Sequence, residues 1–201
     1  MKFDGFLKIE GIKKLQKYNL PIPETIFIFD FKKQEKEIEK FLKDKEFITI
    51  RSDKKGSTDF CPCSLRCPKN KAKIFIKEII RKGYTAILQK YIPIRKNRIL
   101  SGNILILKNN ILMELMGVGP LTWLNRKGKL DEQIRFRKND LHELEHWGKE
   151  LVGKKKLINI AKLVKNIPPY RILEFTLISE GPFFWQIKED RTAKRLDDNQ
   201  F

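Results

Sequence analysis

Long apolar runs are missing from this sequence of 201 residues. Its longest apolar stretches are strand-sized, well short of the roughly 20 residues a membrane-spanning helix needs, so no membrane association is expected. The opening Met1-Lys2-Phe3-Asp4-Gly5 has no apolar segment of the kind that directs secretion, and the cytoplasm is the expected compartment. Cysteine is scarce. The three present fall together at Cys61, Cys63 and Cys67, an odd number in a reducing compartment, which argues against a disulfide framework. Internal repeats are absent, as is any RNP-type aromatic pattern for reading RNA. Negative charge is in deficit: 43 Lys and Arg face 25 Asp and Glu, for a net +18 and a pI near 9.8.

What is present suits one ordinary domain or two small lobes, with 41% hydrophobic and 10% aromatic residues. The positive balance fits a polyanionic partner such as nucleic acid or nucleotide phosphates. It fits a heat-adapted composition equally, because the basic residues are spread along the chain rather than blocked.

Helical spacing covers residues 6–18, with Phe6, Ile9, Ile12 and Leu15 on one side. Strands are expected at 25–30, 47–51 and 86–92, and charged amphipathic helices at 32–43 and 72–81. Between them, 54–69 reads as a polar loop holding the cysteines. Residues 99–107 and 111–116 form a hairpin. A helix is expected over 140–152 with Asp140 as N-cap, and another over 157–166. The pattern is α+β, an α/β first part and an antiparallel-rich second.

Residues 172–178 and 183–188 form the closing hairpin across Ser179-Glu180-Gly181-Pro182. Glu174 interrupts the first apolar run and Gln186 the second. A carboxylate between Leu173 and Phe175 is costly to bury unless a positive or hydrogen-bonding group meets it. Magnesium would, since it takes oxygen ligands from carboxylates, amides and phosphates. The alternative is a Glu174 that faces solvent on a one-sided sheet.

Two further clusters compete for metal. Three thiols in one loop can converge on zinc or an iron–sulfur cluster, although a fourth ligand is missing nearby unless His142 or His146 supplies it through space. His142-Glu143-Leu144-Glu145-His146 matches the His-Glu-x-x-His pattern of zinc proteases, with Glu143 as base. Its polar surroundings and the lack of a later histidine favour a solvated helix face instead.

Several short segments also share a common order. Lys8 lies thirteen residues before Pro21 in Asn19-Leu20-Pro21-Ile22-Pro23. A strand ends in Ile50-Arg51-Ser52, and Leu88-Gln89-Lys90-Tyr91-Ile92 precedes Ser101-Gly102. Gly117-Val118-Gly119-Pro120 follows. Leu173-Glu174-Phe175 and Trp185-Gln186-Ile187-Lys188 close the series, with Glu174 and Gln186 twelve apart. Together these resemble, in shortened form, the ATP-grasp nucleotide-binding domain of the pyruvate phosphate dikinase and phosphoenolpyruvate synthase family.

That resemblance implies an ATP-grasp-like α+β fold of two α/β lobes, 1–85 and 86–201, with Mg-ATP held between them. Lys8 and Arg51 would neutralise phosphates, and Glu174 and Gln186 would ligate magnesium. Lys188 stands where the family has arginine, keeping the charge and losing the fork. Gln89, Lys90, Tyr91 and Ile92 would run beside the adenine, and Gly117 and Gly119 would let a loop approach phosphate. Pro120 replaces the family's acid, and the 201 residues do not include the family's phosphohistidine domain. A phosphotransferase of kinase or dikinase type is expected, its acceptor a partner protein, an RNA or another substrate. The alternatives are a basic RNA- or DNA-binding protein and a degenerate domain that binds nucleotide without turnover.

Overall fold

A computed structural model describes residues 5–57, 61–93, 98–117, 124 and 128–190. The chain divides into two compact units. One comprises the chain up to Lys13 together with Ile22–Ile92; the other comprises Lys14–Pro21 and the chain from Pro93 onward.

The first unit is a four-stranded antiparallel sheet in the order β1-β4-β2-β3 with helices on both faces. Its elements are the part of α1 (Leu7–Lys17) up to Lys13, β1 (Thr25–Ile28), α2 (Glu35–Leu42), β2 (Phe47–Asp53), β3 (Ser64–Pro68), α3 (Lys69–Arg81) and β4 (Thr85–Lys90). Strand alternation sends Ile28, Ile48, Ile50, Ala86 and Leu88 to one face, where they bury against Ile38 and Phe41 of α2 and Ile76 and Ile79 of α3. Ile87 points the other way and packs with Ile9 and Ile12 of α1. The strand expected at 86–92 is therefore central to this sheet, between β1 and β2. β3 lies inside the stretch read as loop. Ser64-Leu65-Arg66-Cys67 has no β-branched residue, and what makes it a strand is pairing with the open edge of β2.

The second unit is a six-stranded antiparallel sheet in the order β10-β9-β5-β6-β7-β8. Its strands are β5 (Arg98–Ile106), β6 (Asn110–Met116), β7 (Glu132–Arg137), β8 (Glu143–Gly148), β9 (Arg171–Ile178) and β10 (Gly181–Glu189), with α4 (Lys154–Val164) inserted before β9. Leu157, Ile160, Ala161 and Val164 form the buried stripe of α4.

The helix expected over 140–152 is absent, and residues 143–148 are edge strand β8 instead. Asp140 does not cap a helix. Its Oδ1 accepts the His142 N–H at 3.0 Å, an Asx turn that, with Leu141 at φ 59°, reverses the chain onto β7. Pairing with the free edge of β7 outweighs the helix propensity of Glu and Leu, a tertiary override of a weak local preference. Among the described residues no helix is long and apolar enough to cross a membrane.

Candidate functional site

Strand register assembles one polar row across the second sheet. Gln186 on β10 pairs with Glu174 on β9, Glu174 with Asn103 on β5, Asn103 with Glu114 on β6, and Glu114 with Gln133 on β7. Directly paired residues project to the same face, so these five side chains stand abreast. The opposite face carries the alternate residues Leu173, Phe175, Ile104, Met113 and Leu115, all buried. Glu174 was singled out as a carboxylate that needs a partner; Lys188 Nζ lies 3.7 Å from its Oε1 on the same face.

Asn103 and Glu114 are site residues that the sequence reading passed over. Both interrupt apolar runs just as Glu174 does, and the same test would have found them. Asn103 is 5% exposed, and its side chain hydrogen-bonds the Glu114 carboxylate. Burial pushes the Glu114 carboxyl up from the usual range, the Asn103 donor pulls it down, and Asp190 nearby adds to the rise. Beside the row, the Trp185 indole N–H donates to Thr176 Oγ1 at 2.9 Å, and Thr176 Oγ1 lies 3.1 Å from Ser101 Oγ. Gly102 lets the strands close up here. A Cβ on it would come within 2.6 Å of the Glu114 carbonyl oxygen and 2.9 Å of Phe175 Cε1.

In the first unit, Lys8 and Arg51 are brought to one side of the sheet. Arg51 is paired with Ile87, and Ile87 packs under α1, the helix that carries Lys8. Asp53, another residue the sequence reading missed, fixes that helix. Its Oδ2 accepts the backbone N–H groups of Lys8 at 2.8 Å and Ile9 at 3.0 Å, capping α1 from the end of β2. Lys8 Nζ then donates to the Ser52 carbonyl at 2.7 Å.

Gln89 is paired with Thr25 and with Thr49, on the same face as Arg51. It is 1% exposed, its Nε2 donates to Thr25 Oγ1 at 3.2 Å, and its Oε1 is buried with no hydrogen-bond partner among the described residues. Lys90 is exposed, and its N–H donates to the Glu24 carbonyl at 2.8 Å. Tyr91 meets Phe47 edge to face at 6.0 Å, and Ile92 is buried.

Gly117 follows β6, and its N–H donates to Asp131 Oδ2 at 3.0 Å. Gly119 and Pro120 lie outside the described residues. The thiols do not form a metal centre: among the described residues no three His, Cys, Asp or Glu side chains are placed to hold an ion. Cys67 is buried in the core beside Ile48 and Cys61 is buried as well, while Cys63, in the segment before β3, is exposed. Burial pushes the Cys67 thiol up, away from the reactive thiolate.

The His-Glu-x-x-His pattern likewise fails as a zinc site, because His142 lies in the turn before β8 and His146 on that strand, so the two do not share a helix face. His146 Nε2 lies 3.1 Å from Oε1 of the fully buried Glu132, whose Oε2 accepts the Leu151 N–H at 2.9 Å. A cleft of about 1040 Å³ at α2 and α3 holds none of the expected site residues.

No family model matches the sequence, and no curated protein does. Solved structures do match. D-alanyl-alanine synthetase A from Vibrio cholerae has 13% identity and a TM-score of 0.54, over 92% of this chain and 55% of that one. A RimK-domain ATP-grasp protein from Sphaerobacter thermophilus has 13% identity and a TM-score of 0.52, over 96% and 62%. N5-carboxyaminoimidazole ribonucleotide synthetase, solved with ADP, has 11% identity and a TM-score of 0.56, over 98% and 48%. The chain thus spans roughly half to three-fifths of the length of these proteins. At such identities the likeness is one of fold, and the fold of this chain is the ATP-grasp fold.

Proposed function

We propose that the chain binds ATP with magnesium and uses it to phosphorylate an acceptor. The observation that carries this reading is the pairing of Glu174 with Gln186 on neighbouring strands of an ATP-grasp sheet, extended by Asn103 and Glu114. The row offers only carboxylate and amide donors, which suits magnesium and not the softer zinc or iron. Glu174 and Gln186 would hold the ion, whose contribution when bound is to neutralise charge on the transferring phosphoryl group.

The remaining residues bind and orient. Lys188 supplies positive charge beside Glu174, and Lys8 and Arg51 have the chemistry to neutralise phosphate. Gln89, Lys90, Tyr91 and Ile92 would take the base, the orphaned Oε1 of Gln89 fitting an amino donor. Gly117 and Gly119 would admit a phosphate to the backbone.

Two of the three matched structures are named as synthetases, which favours a carboxylate acceptor over the dikinase reaction. A carboxylate oxygen would attack the γ-phosphorus as ADP departs, and a nucleophile would then displace phosphate from the acyl phosphate. A kinase would instead leave phosphate on its product.

The test is ADP and phosphate release with Mg-ATP and paired carboxylates and amines, using the parent chain and Glu174→Gln. Acceptor-dependent ADP release that the variant loses supports the proposal, and matching phosphate release marks a ligase. Failure of the parent to bind Mg-ATP at all would overturn it.

A further inference from the structure

The second unit has another candidate binding feature at the far end of the same sheet. The β5–β6 turn, the β7–β8 turn and the C-terminal end of α4 line an open pocket of about 470 Å³. Lys108, Arg137, Lys138 and Lys165 line it, with the amides of Asn109 and Asn139 between them and no carboxylate among its lining residues. Asn103 to Lys108 is five residues of nearly extended chain, roughly 17 Å at about 3.4 Å per residue, so this cavity is separate from the Glu174 row.

Backbone hydrogen bonds fix its walls. Leu107 N–H donates to the Asn110 carbonyl at 2.9 Å and closes the first turn, and Lys138 N–H donates to the Asn109 carbonyl at 2.7 Å and ties the second turn to it. Lys138 Nζ donates to the Ile167 carbonyl at 2.9 Å, which draws in the chain leaving α4. Asp140 Oδ2 meets Arg137 Nη1 at 3.0 Å. The Asp140 carboxyl is held below its usual range, first by the His142 N–H and then by Arg137, so it stays ionised beside Arg137.

Like charges around a small concave space repel one another, and an anion there would relieve that repulsion. Ammonium and guanidinium groups are donors only, and each asparagine amide has an NH2 to donate, the complement of an oxyanion with many acceptor oxygens. The volume falls within the range of small-molecule sites. We propose that this cavity binds a small polyphosphate anion of the pyrophosphate or tripolyphosphate class, at a site apart from the nucleotide.

The experiment is titration calorimetry with inorganic tripolyphosphate at physiological salt, with neither magnesium nor nucleotide present, so that failure here leaves the Mg-ATP reading untouched. The parent is compared with Lys108→Gln/Lys165→Gln and with Lys14→Gln/Lys36→Gln, an equal charge change at exposed lysines elsewhere. The proposal expects at least tenfold weaker binding in the first variant, none or little change in the second, and recovery in Lys108→Arg/Lys165→Arg. Equal weakening in both glutamine variants would reduce the effect to the general field of a +18 chain and overturn the site. So would absence of binding in the parent, or a pocket that takes a short single-stranded RNA and not tripolyphosphate.

Discussion

Asn103 stands directly between two carboxylates: it is the register partner of Glu114 on one side and of Glu174 on the other. A neutral amide in that position separates like charges that would otherwise be adjacent, and it donates to Glu114. Asn103→Asp would put three carboxylates abreast. It is expected to lower stability by about 1–3 kcal/mol at pH 7, since a buried hydrogen-bond donor is lost and a charge gained. Urea denaturation at pH 7 and pH 4 tests this, and the deficit should shrink at the lower pH.

Glu114 itself should govern part of the pH dependence of stability. Its carboxyl is raised, mainly by burial, so the folded chain holds that proton more tightly than the unfolded one. The stability it contributes is fully present below the unfolded pKa and is lost as pH rises through the folded pKa. Glu114→Gln should therefore raise Tm at pH 7 by about 2–4 °C, the equivalent of roughly 1 kcal/mol for a chain of this size, and give no gain below about pH 4. A Tm difference independent of pH would refute this.

Gly102 permits the close approach of β5 to β6 and β9. Gly102→Ala sets a methyl 2.6 Å from the Glu114 backbone oxygen, which cannot yield without moving the sheet, and 2.8 Å from Leu115 Cδ2. A cost of about 1–3 kcal/mol is expected from this overpacking, read as a lower denaturation midpoint with an unchanged slope. A midpoint equal to that of the parent would mean the strands part easily.

The two histidines of one sequence pattern should behave differently. His146→Ala deprives the buried Glu132 of a partner and is expected to cost about 1–3 kcal/mol. His142→Ala, at an exposed ring, should stay within about 0.5 kcal/mol of the parent. Added zinc should raise the Tm of neither variant nor of the parent. A zinc-dependent rise abolished by both substitutions would restore the metal reading.

The hairpin of β9 and β10 was legible because apolar runs flank an unambiguous turn and because its two polar interruptions are conspicuous. β1, β2 and β4 of the first sheet were legible from β-branched strands such as Phe47-Ile48-Thr49-Ile50, whereas β3 was not, being polar and paired only through the edge of β2. β7 and β8 were not. Ile134 and Phe136 do alternate with polar residues, but Glu132, Gln133 and Arg135 make the stretch look like loop. At β8 and the turn before it, the sequence His142 to His146 suggests a helix until the edge of β7 is available to pair with. Asp53 was hidden for a different reason: its function as a cap depends on the N–H of Lys8 in α1, forty-five residues earlier, a contact no local pattern contains. Lys8 and Arg51 share a sheet face only because α1 folds over Ile87.

The central claim, that Glu174 and Gln186 grip Mg-ATP, is tested most directly by thermal unfolding with Mg-ATP beside magnesium alone. The parent is compared with the double variant Glu174→Ala/Gln186→Ala. Ligand at about a hundredfold its Kd adds roughly 2.7 kcal/mol to the folded state, a rise of about 5–10 °C for a chain of this size. The account predicts that rise in the parent and its loss in a variant that remains folded. A parent that shows no rise, or a variant that keeps all of it, would contradict the account.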